Sequence, residues 1–176
     1  SLRVHERLKA DGQPEFPGRF PPGDANFRIP TMAEELALIQ GLNHSRSKDV
    51  RIYVEPKSPE WHSSEGRSII EEVIRMLAHF GYARRDDKAI LQSFDFEQLK
   101  NARRALKTDL KLVQLMGENS WQESKSDFDH LRSAEGLAEI AAFADGIGPW
   151  LMQLVTLGED GSTIESGLGT LAHGAG

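Results

Sequence analysis

The segment Val50-Arg51-Ile52-Tyr53-Val54-Glu55-Pro56-Lys57 decides the fold class of this chain. Its first five residues include β-branched and aromatic side chains, which are typical of a β-strand. Two charged residues, Glu55 and Lys57, stand just past the end of this strand. Apolar residues then recur at helical spacing between positions 69 and 77, and Gly81 follows them. The segment therefore predicts a β-strand followed by a helix.

The same alternation of strand and helix continues along the chain. Thr31-Met32-Ala33-Glu34 is a capping box that predicts a helix ending at about Gly41. Further strands are predicted at Lys88–Gln92 and Leu110–Leu115, each followed by a helix, and Asp145–Pro149 predicts a short strand. Strands that alternate with helices usually form a parallel sheet with crossover helices. The sequence thus predicts an α/β fold, either a doubly wound sheet or a barrel.

The two ends of the chain differ in composition from this middle part. Residues 1–30 are rich in Pro, Gly and Phe, and we predict a loop region pinned by Phe16, Phe20 and Phe27. Residues 31–157 contain the βα units. Residues 158–176 form a Gly- and Ser-rich tail in which no clear element is predicted.

Composition narrows the range of functions. The chain has 176 residues, a net charge of −6 and no cysteine. An acidic balance argues against a nucleic-acid partner, and the lack of cysteine excludes disulfides and thiolate metal sites. No apolar stretch approaches the roughly 18 residues of a transmembrane segment. The first nine residues are charged and do not resemble a signal peptide.

The residues that follow the predicted strands are the candidate site residues, because barrel enzymes place their chemistry at the carboxyl ends of the strands. Glu55 and Lys57 point to the same side if the strand alternation continues through them. A carboxylate is suited to ligating a divalent cation, and an ammonium is suited to stabilising a phosphate oxygen. From spacing alone, a plain Glu–Lys ion pair that closes the strand explains the same residues.

Polar residues at the other predicted strand ends have simpler explanations. Asp95 is most simply the N-cap of the next helix, and Phe94 either lines a pocket or packs in the core. The histidines are scattered and form no metal-binding pattern, and only His62 is near Glu55 in the sequence. The remaining polar strand-end candidates are Gln92, Ser93, Gln114 and Asp145.

Six segments of the sequence occur together in a characteristic order. They are Phe16–Pro21, Gln40–Ser45, Ile52–Lys57, Leu91–Asp95, Leu112–Leu115 and Ala144–Pro149. In this order they resemble the glycerophosphodiester phosphodiesterase family, in particular its larger bacterial periplasmic branch. The Glu-x-Lys and Gln-Ser-Phe-Asp strand ends are typical of the whole family, whereas the Pro-Gly-Arg-Phe-Pro and Gly-Leu-Asn-His-Ser segments point to the branch.

The resemblance implies a (β/α)₈ TIM barrel, of which residues 1–176 are a partial domain, a fragment lacking N-terminal and C-terminal barrel strands. It implies Ca²⁺- or Mg²⁺-dependent hydrolysis of a small glycerophosphodiester to an alcohol and glycerol 3-phosphate. It assigns Glu55 to the metal, and Lys57 and Phe94 to phosphate and substrate binding. It also implies a periplasmic location. Neither the sequence nor the resemblance assigns an oligomeric state.

The chain departs from the family pattern at the catalytic residues. The family has a His-Arg-Gly motif, a Glu-x-Asp metal pair and a second His, and the two histidines act as general acid and base. None of these motifs occurs in this sequence. No catalytic residue is therefore assigned within the chain, and we expect the 176-residue polypeptide to be inactive alone. Two alternatives stay open: a non-catalytic binding module for a partner or an anionic ligand, and a barrel phosphodiesterase of the phospholipase C type.

Overall fold

The protein is described here from a computed structural model, in which residues 4–20 and 27–176 are described. They fall into two compact units, residues 1–46 and residues 47–176, and each unit is considered separately. Part of the predicted N-terminal loop, Pro21, Pro22 and Gly23 with Asp24 to Asn26, lies outside the described residues, as do Ser1 to Arg3. Within the described ranges, no helix is both long and apolar enough to span a bilayer.

The first unit contains a loop region and one helix. An isolated bridge joins Leu8 to Pro14, and the Phe20 and Phe27 rings meet edge to face with centroids 6.0 Å apart. Helix α1 spans Met32–Ser45 and begins with the predicted capping box. The Glu34 amide donates to the Thr31 hydroxyl at 3.3 Å, and the Thr31 amide donates to the Glu34 carboxylate at 2.8 Å.

Helix α1 does not end at Gly41, as the sequence pattern predicted, but continues through Ser45. Glycine inside a helix costs only about 1 kcal/mol relative to alanine. That cost is small enough for the following turn to stay helical.

The second unit is built on a four-stranded parallel sheet with the order β1-β2-β3-β4. The strands are β1 Ile52–Val54, β2 Ala89–Ser93, β3 Lys111–Met116 and β4 Gly146–Pro149. Each strand therefore lies beside its predecessor in the chain. A doubly wound sheet reverses its strand order at a switch point, and the four described strands show no such reversal. The α/β prediction is confirmed, and the sequential order is consistent with a barrel-like domain.

Helices connect these strands and cover one side of the sheet. Four of them begin at polar N-cap side chains that accept backbone N–H bonds, namely Ser68, Asp95, Asp127 and Ser133. The elements between the strands are α2 Pro59–Ser64, α3 Ile69–His79, α4 Phe96–Arg104, a 3₁₀ turn Asn119–Trp121, α5 Phe128–Leu131 and α6 Ala134–Ala141.

The two faces of the sheet have different surroundings. On one face, Leu91 and Leu112 are fully buried and occupy paired positions, and α4 and α6 pack against the sheet. On the opposite face, Ile90 and Val113 are half-buried and Tyr53 is 52% exposed. Side chains alternate between the faces along each strand. Parity thus places Glu55 on the same, less covered face as Tyr53.

The tail, residues 158–176, was expected to contain no clear element, and that expectation is wrong. The chain after β4 forms α7 Leu151–Leu154, an antiparallel pair of strands β5 Val155–Leu157 and β6 Thr163–Glu165, and α8 Leu168–Ala175. Gly167, at φ 81°, precedes α8, which packs against α6 and buries Leu168. Packing against a neighbouring helix gives this glycine-rich segment a stability that its own propensity does not provide.

Candidate functional site

Glu55 and Lys57 form an ion pair directly after β1. The Lys57 ammonium lies 2.6 Å from the Glu55 carboxylate. The Glu55 side chain is 21% exposed, whereas that of Lys57 is 67% exposed. A mostly buried carboxylate is thus held at the carboxyl edge of the sheet by a cation that remains accessible to an anion from solvent.

The backbone turns sharply after this pair. Ser58 adopts the left-handed conformation, with φ 47° and ψ 53°, which is uncommon for residues other than Gly, Asn and Asp. Pro59 then begins α2. The turn and the proline restrict the backbone on the C-terminal side of Lys57.

Phe94 completes the group of predicted site residues. The Lys57 ammonium lies 5.7 Å from the centroid of the Phe94 ring, within the range of a cation–π contact. The Phe94 ring also meets Phe128 edge to face, with centroids 6.1 Å apart. The structure therefore brings together Glu55, Lys57 and Phe94, although their roles in metal and substrate binding stay predictions.

Asp95, next to Phe94, is the N-cap of α4, as predicted. Its carboxylate accepts the Gln98 N–H at 3.0 Å. Burial raises the pKa of Asp95, the Gln98 hydrogen bond acts in the opposite direction, and the nearby Glu60 and Glu97 carboxylates raise the pKa further. This residue has a structural role as the N-cap of α4.

Three of the polar candidates, Ser93, Gln114 and Asp145, do not face the site. Gln114 is fully buried, and its register partner on β2 is Ser93, on the face covered by helices. Asp145 precedes β4 and therefore lies at the amino edge of the sheet, opposite the edge of Glu55. Its carboxylate accepts the Leu112 N–H at 2.9 Å and pairs with Arg103 at 3.1 Å. The expectation that Asp145 lies at the carboxyl edge was wrong, because it lies at the other end of its strand.

Two histidines in the described part of the chain contact neighbouring aromatic rings. The rings of His62 and Trp61 meet edge to face at 4.8 Å, and His79 contacts Phe80 on the surface of α3. Over residues 4–20 and 27–176, no three His, Asp or Glu side chains are close enough together to hold a metal ion. Glu55 can supply an oxygen ligand to a hard cation, but Ca²⁺ is coordinated by about six to eight oxygens. The described residues alone do not fit a complete cation site.

Sequence reasoning missed an aromatic pair beyond the same edge of the sheet. Trp121, after β3, and Trp150, after β4, meet edge to face with centroids 5.5 Å apart, and both are nearly half exposed. The only sequence signal was that each tryptophan follows a predicted strand. It also missed Ser124 and Ser126, whose hydroxyls lie 3.0 Å and 2.9 Å from the Phe94 carbonyl oxygen, because the Ser124-Lys125-Ser126 stretch forms no recognisable motif.

Comparison with known proteins identifies the family. A family model described as "Glycerophosphoryl diester phosphodiesterase family" matches residues 3–159, which is most of the chain. The chain belongs to the glycerophosphoryl diester phosphodiesterase family. The Glu-x-Lys and Gln-Ser-Phe-Asp strand ends that define the site both lie within the matched residues.

Two curated members of this phosphodiesterase family resemble the chain over most of its length. A protein of Haemophilus influenzae named glycerophosphodiester phosphodiesterase is 36% identical over an alignment of 170 residues, and the match covers 86% of this chain and 47% of that protein. A protein of Treponema pallidum with the same name is 32% identical over an alignment of 154 residues, and the match covers 79% of this chain and 43% of that protein. The chain thus spans somewhat less than half the length of the curated relatives it matches.

Proposed function

We propose that the protein carrying this chain is a metal-dependent phosphodiesterase that hydrolyses a glycerophosphodiester. Water adds to phosphorus, the bond between phosphorus and the oxygen of the alcohol breaks, and the alcohol leaves with a proton. The products are an alcohol and glycerol 3-phosphate. Family membership and the names of two relatives support this activity at the level of the family.

The observation that carries the proposal is the pairing of a mostly buried Glu55 with an accessible Lys57 beside Phe94. Phosphodiester hydrolysis places growing negative charge on the phosphoryl oxygens, and a fixed cation lowers the free energy of that charge. An exposed ammonium at a strand end is available to such a substrate. Under this proposal Lys57 binds the phosphate and the Phe94 ring lines the substrate pocket.

Glu55 would supply one oxygen ligand to Ca²⁺ or Mg²⁺ in the full-length protein. Oxygen ligands are the ones that both cations prefer. A single carboxylate does not hold either ion tightly, so the other ligands would come from residues beyond those described here. Calorimetric titration of Ca²⁺ into the full-length protein tests this separately from turnover. Glu55→Gln is expected to weaken the cation affinity, and an unchanged affinity would remove Glu55 from the metal site.

The test of the activity is release of glycerol 3-phosphate from glycerophosphocholine with Ca²⁺ present. We expect the full-length protein to be active and Glu55→Gln to lose at least about 10²-fold in kcat, the usual effect of removing a group that stabilises transition-state charge. The matched control is Glu65→Gln, because Glu65 is an exposed glutamate in the same connection between β1 and α3. Equal activity of the Glu55 variant and the parent would contradict the assignment.

The 176-residue polypeptide itself is expected to show no turnover, because its sequence contains neither the His-Arg-Gly nor the Glu-x-Asp motif. Turnover by this polypeptide would refute that expectation. An inactive full-length protein would instead favour a non-catalytic module that binds a partner or an anionic ligand. The proposed compartment is the periplasm, and fractionation of cells that express the full-length protein tests it.

A further inference from the structure

The backbone carbonyl of Phe94 is surrounded by hydrogen-bond donors. The Gln114 side-chain amide lies 3.1 Å from this oxygen, the Ser124 hydroxyl 3.0 Å and the Ser126 hydroxyl 2.9 Å. A carbonyl oxygen has two lone pairs and is ordinarily satisfied by one or two donors. Three donors at one carbonyl indicate that the position of Phe94 is fixed from several sides.

The donors come from strand β3 and from the loop that follows it. Gln114 is fully buried in β3, and its amide nitrogen also lies 3.2 Å from the Ser93 carbonyl and 3.0 Å from the Leu115 carbonyl. Three carbonyl oxygens around one atom fix the orientation of the amide, because a flipped amide would place its oxygen against them. The nitrogen has only two hydrogens for the three carbonyls.

Ser124 and Ser126 extend the same network from the loop after β3. The Ser126 oxygen accepts the Phe96 N–H at 2.9 Å while its hydroxyl donates to Phe94. The Ser124 hydroxyl has one hydrogen, which donates either to Phe94 or to the Ser126 oxygen 2.9 Å away. The loop thus forms hydrogen bonds with the residues on both sides of Asp95, namely Phe94 and Phe96.

The segment Ser124–Ser126 also contacts the connection between β1 and α3. Lys125, between the two serines, forms an ion pair with Glu60 of α2. Both side chains are substantially exposed, so this pair contributes little to stability. The ion pair nevertheless links Ser124–Ser126 to α2, which follows Lys57. The same segment therefore contacts both the chain after Lys57 and the chain around Phe94.

We infer that Gln114, Ser124 and Ser126 are positioning residues that hold the Phe94 ring beside Lys57 and so determine how well the substrate binds. This inference rests on the proposed phosphodiesterase function of the Glu55–Lys57 site. The ring of Phe94 reaches Lys57 on one side and Phe128 on the other, so a shift of its backbone changes both contacts. None of the three positioning residues touches the reacting atoms under this proposal.

Ser126→Ala in the full-length protein is the most direct test. Ser126 is half-buried, and removal of its hydroxyl leaves the Gln114 side chain in place. Each hydrogen bond is worth about 0.5–1.5 kcal/mol, so we expect KM for glycerophosphocholine to rise about 2- to 13-fold with kcat nearly unchanged. A substitution that merely unfolds part of the sample has the opposite signature, since it lowers kcat and leaves KM as it was.

Two matched variants complete the comparison. Ser126→Thr keeps the hydroxyl and is expected to restore KM to the parent value. Ser133→Ala removes a serine N-cap of similar structural worth from α6, where the hydroxyl accepts the Gly136 N–H at 3.1 Å, and is expected to leave KM unchanged. An unchanged KM in Ser126→Ala, or a raised KM in Ser126→Thr, overturns the inference.

A second readout separates this inference from the activity itself. Fluorine NMR of protein labelled with fluorophenylalanine reports the surroundings of the Phe94 ring, and Phe94→Leu assigns its signal. We expect the signal to shift in Ser126→Ala and not in Ser133→Ala. If the parent shows no turnover, the proposed function fails while this shift still supports the positioning role. A signal that does not move in Ser126→Ala overturns the positioning role whatever the activity.

Discussion

The Asp145 carboxylate lies 3.1 Å from the Arg103 guanidinium at the amino edge of the sheet, opposite the edge that bears Glu55. Arg103 also donates to the carbonyls of Phe143 at 3.0 Å and Leu110 at 2.9 Å, and Arg85 is a second partner of Asp145. Both side chains of the central pair are largely buried, at 13% and 18% exposed. This network joins β3, α4 and the start of β4.

Asp145→Ala is expected to destabilise the full-length protein strongly. Removing one partner of a buried ion pair leaves the other charge without compensation, which costs about 3–5 kcal/mol. The control is Glu72→Ala, which breaks the exposed Glu72–Arg75 pair, with N–O distance 2.6 Å, and is expected to cost at most about 1 kcal/mol. Urea denaturation measures both. Similar losses in the two variants would show that burial does not distinguish these pairs.

Gly136→Ala is expected to destabilise the packing of α5 against α6. A Cβ atom at this position would lie 2.2 Å from the His130 carbonyl oxygen and 2.5 Å from the Leu131 Cα, so the backbone would have to move. Such overpacking costs about 1–3 kcal/mol or more.

The matched control for that variant is Gly41→Ala. Gly41 also lies within a helix, and a Cβ there meets nothing within 4 Å. This substitution is expected to stabilise the protein by about 0.5–1 kcal/mol. Thermal melting of both variants gives the comparison, and a stable Gly136→Ala would refute the predicted clash.

Asp95→Asn is expected to stabilise the protein at neutral pH. Burial raises the pKa of Asp95 in the folded state, so its ionisation opposes folding once the pH exceeds the unfolded value of about 3.9. Asparagine is an equally good N-cap and has no charge to bury. The advantage of the variant should therefore be present at pH 7 and disappear as the pH falls below the unfolded pKa.

Asp127→Asn is the control for this pH dependence, because Asp127 is an exposed N-cap of α5 with the opposite shift. The Asn119 side chain and the His130 N–H lower the pKa of Asp127, so its charge favours folding above the unfolded pKa. The variant should be less stable than the parent at pH 7, and the difference should shrink as the pH falls through the folded pKa. Urea denaturation at several pH values measures both, and parallel profiles would contradict the assignment.

Lys57→Gln is expected to weaken the binding of glycerol 3-phosphate by the full-length protein. A hydrogen bond to a charged group is worth about 1.5–3 kcal/mol, which corresponds to about 10- to 150-fold in affinity. Lys88→Gln is the control, because Lys88 pairs with Asp49 at 2.7 Å beside the amino end of β2. Calorimetry measures both affinities. Equal weakening in the two variants would mean that net charge, and not the site, binds the anion.

The strands were predictable because their side chains carry their own signal. The β-branched and aromatic residues before Glu55 predicted β1, and the apolar run before Leu115 predicted β3, each within two residues at either end. The N-caps Thr31 and Asp95 were likewise recognisable, because a cap and its partner lie three residues apart in the sequence. These features depend on interactions between residues close together in the sequence, so the sequence alone was enough to predict them.

The Gly- and Ser-rich tail was not predictable in this way. Helix α8 depends on packing against α6, which lies some thirty residues earlier in the chain. No periodic pattern in the sequence predicts that contact. Asp145 was misplaced for a different reason: it opens the predicted strand Asp145–Pro149 and so stands at its amino end, where the structure also places it, one residue before β4 begins at Gly146.

The sequence by itself determined the alternation of strands and helices and the presence of Glu55 and Lys57 after the first strand. Only the tertiary structure decided that Lys57 lies over the Phe94 ring and that Gln114, Ser124 and Ser126 converge on the Phe94 carbonyl. Those contacts join residues 20 to 37 positions apart. They follow from the parallel register of β1, β2 and β3, which brings the ends of separate strands to one edge of the sheet.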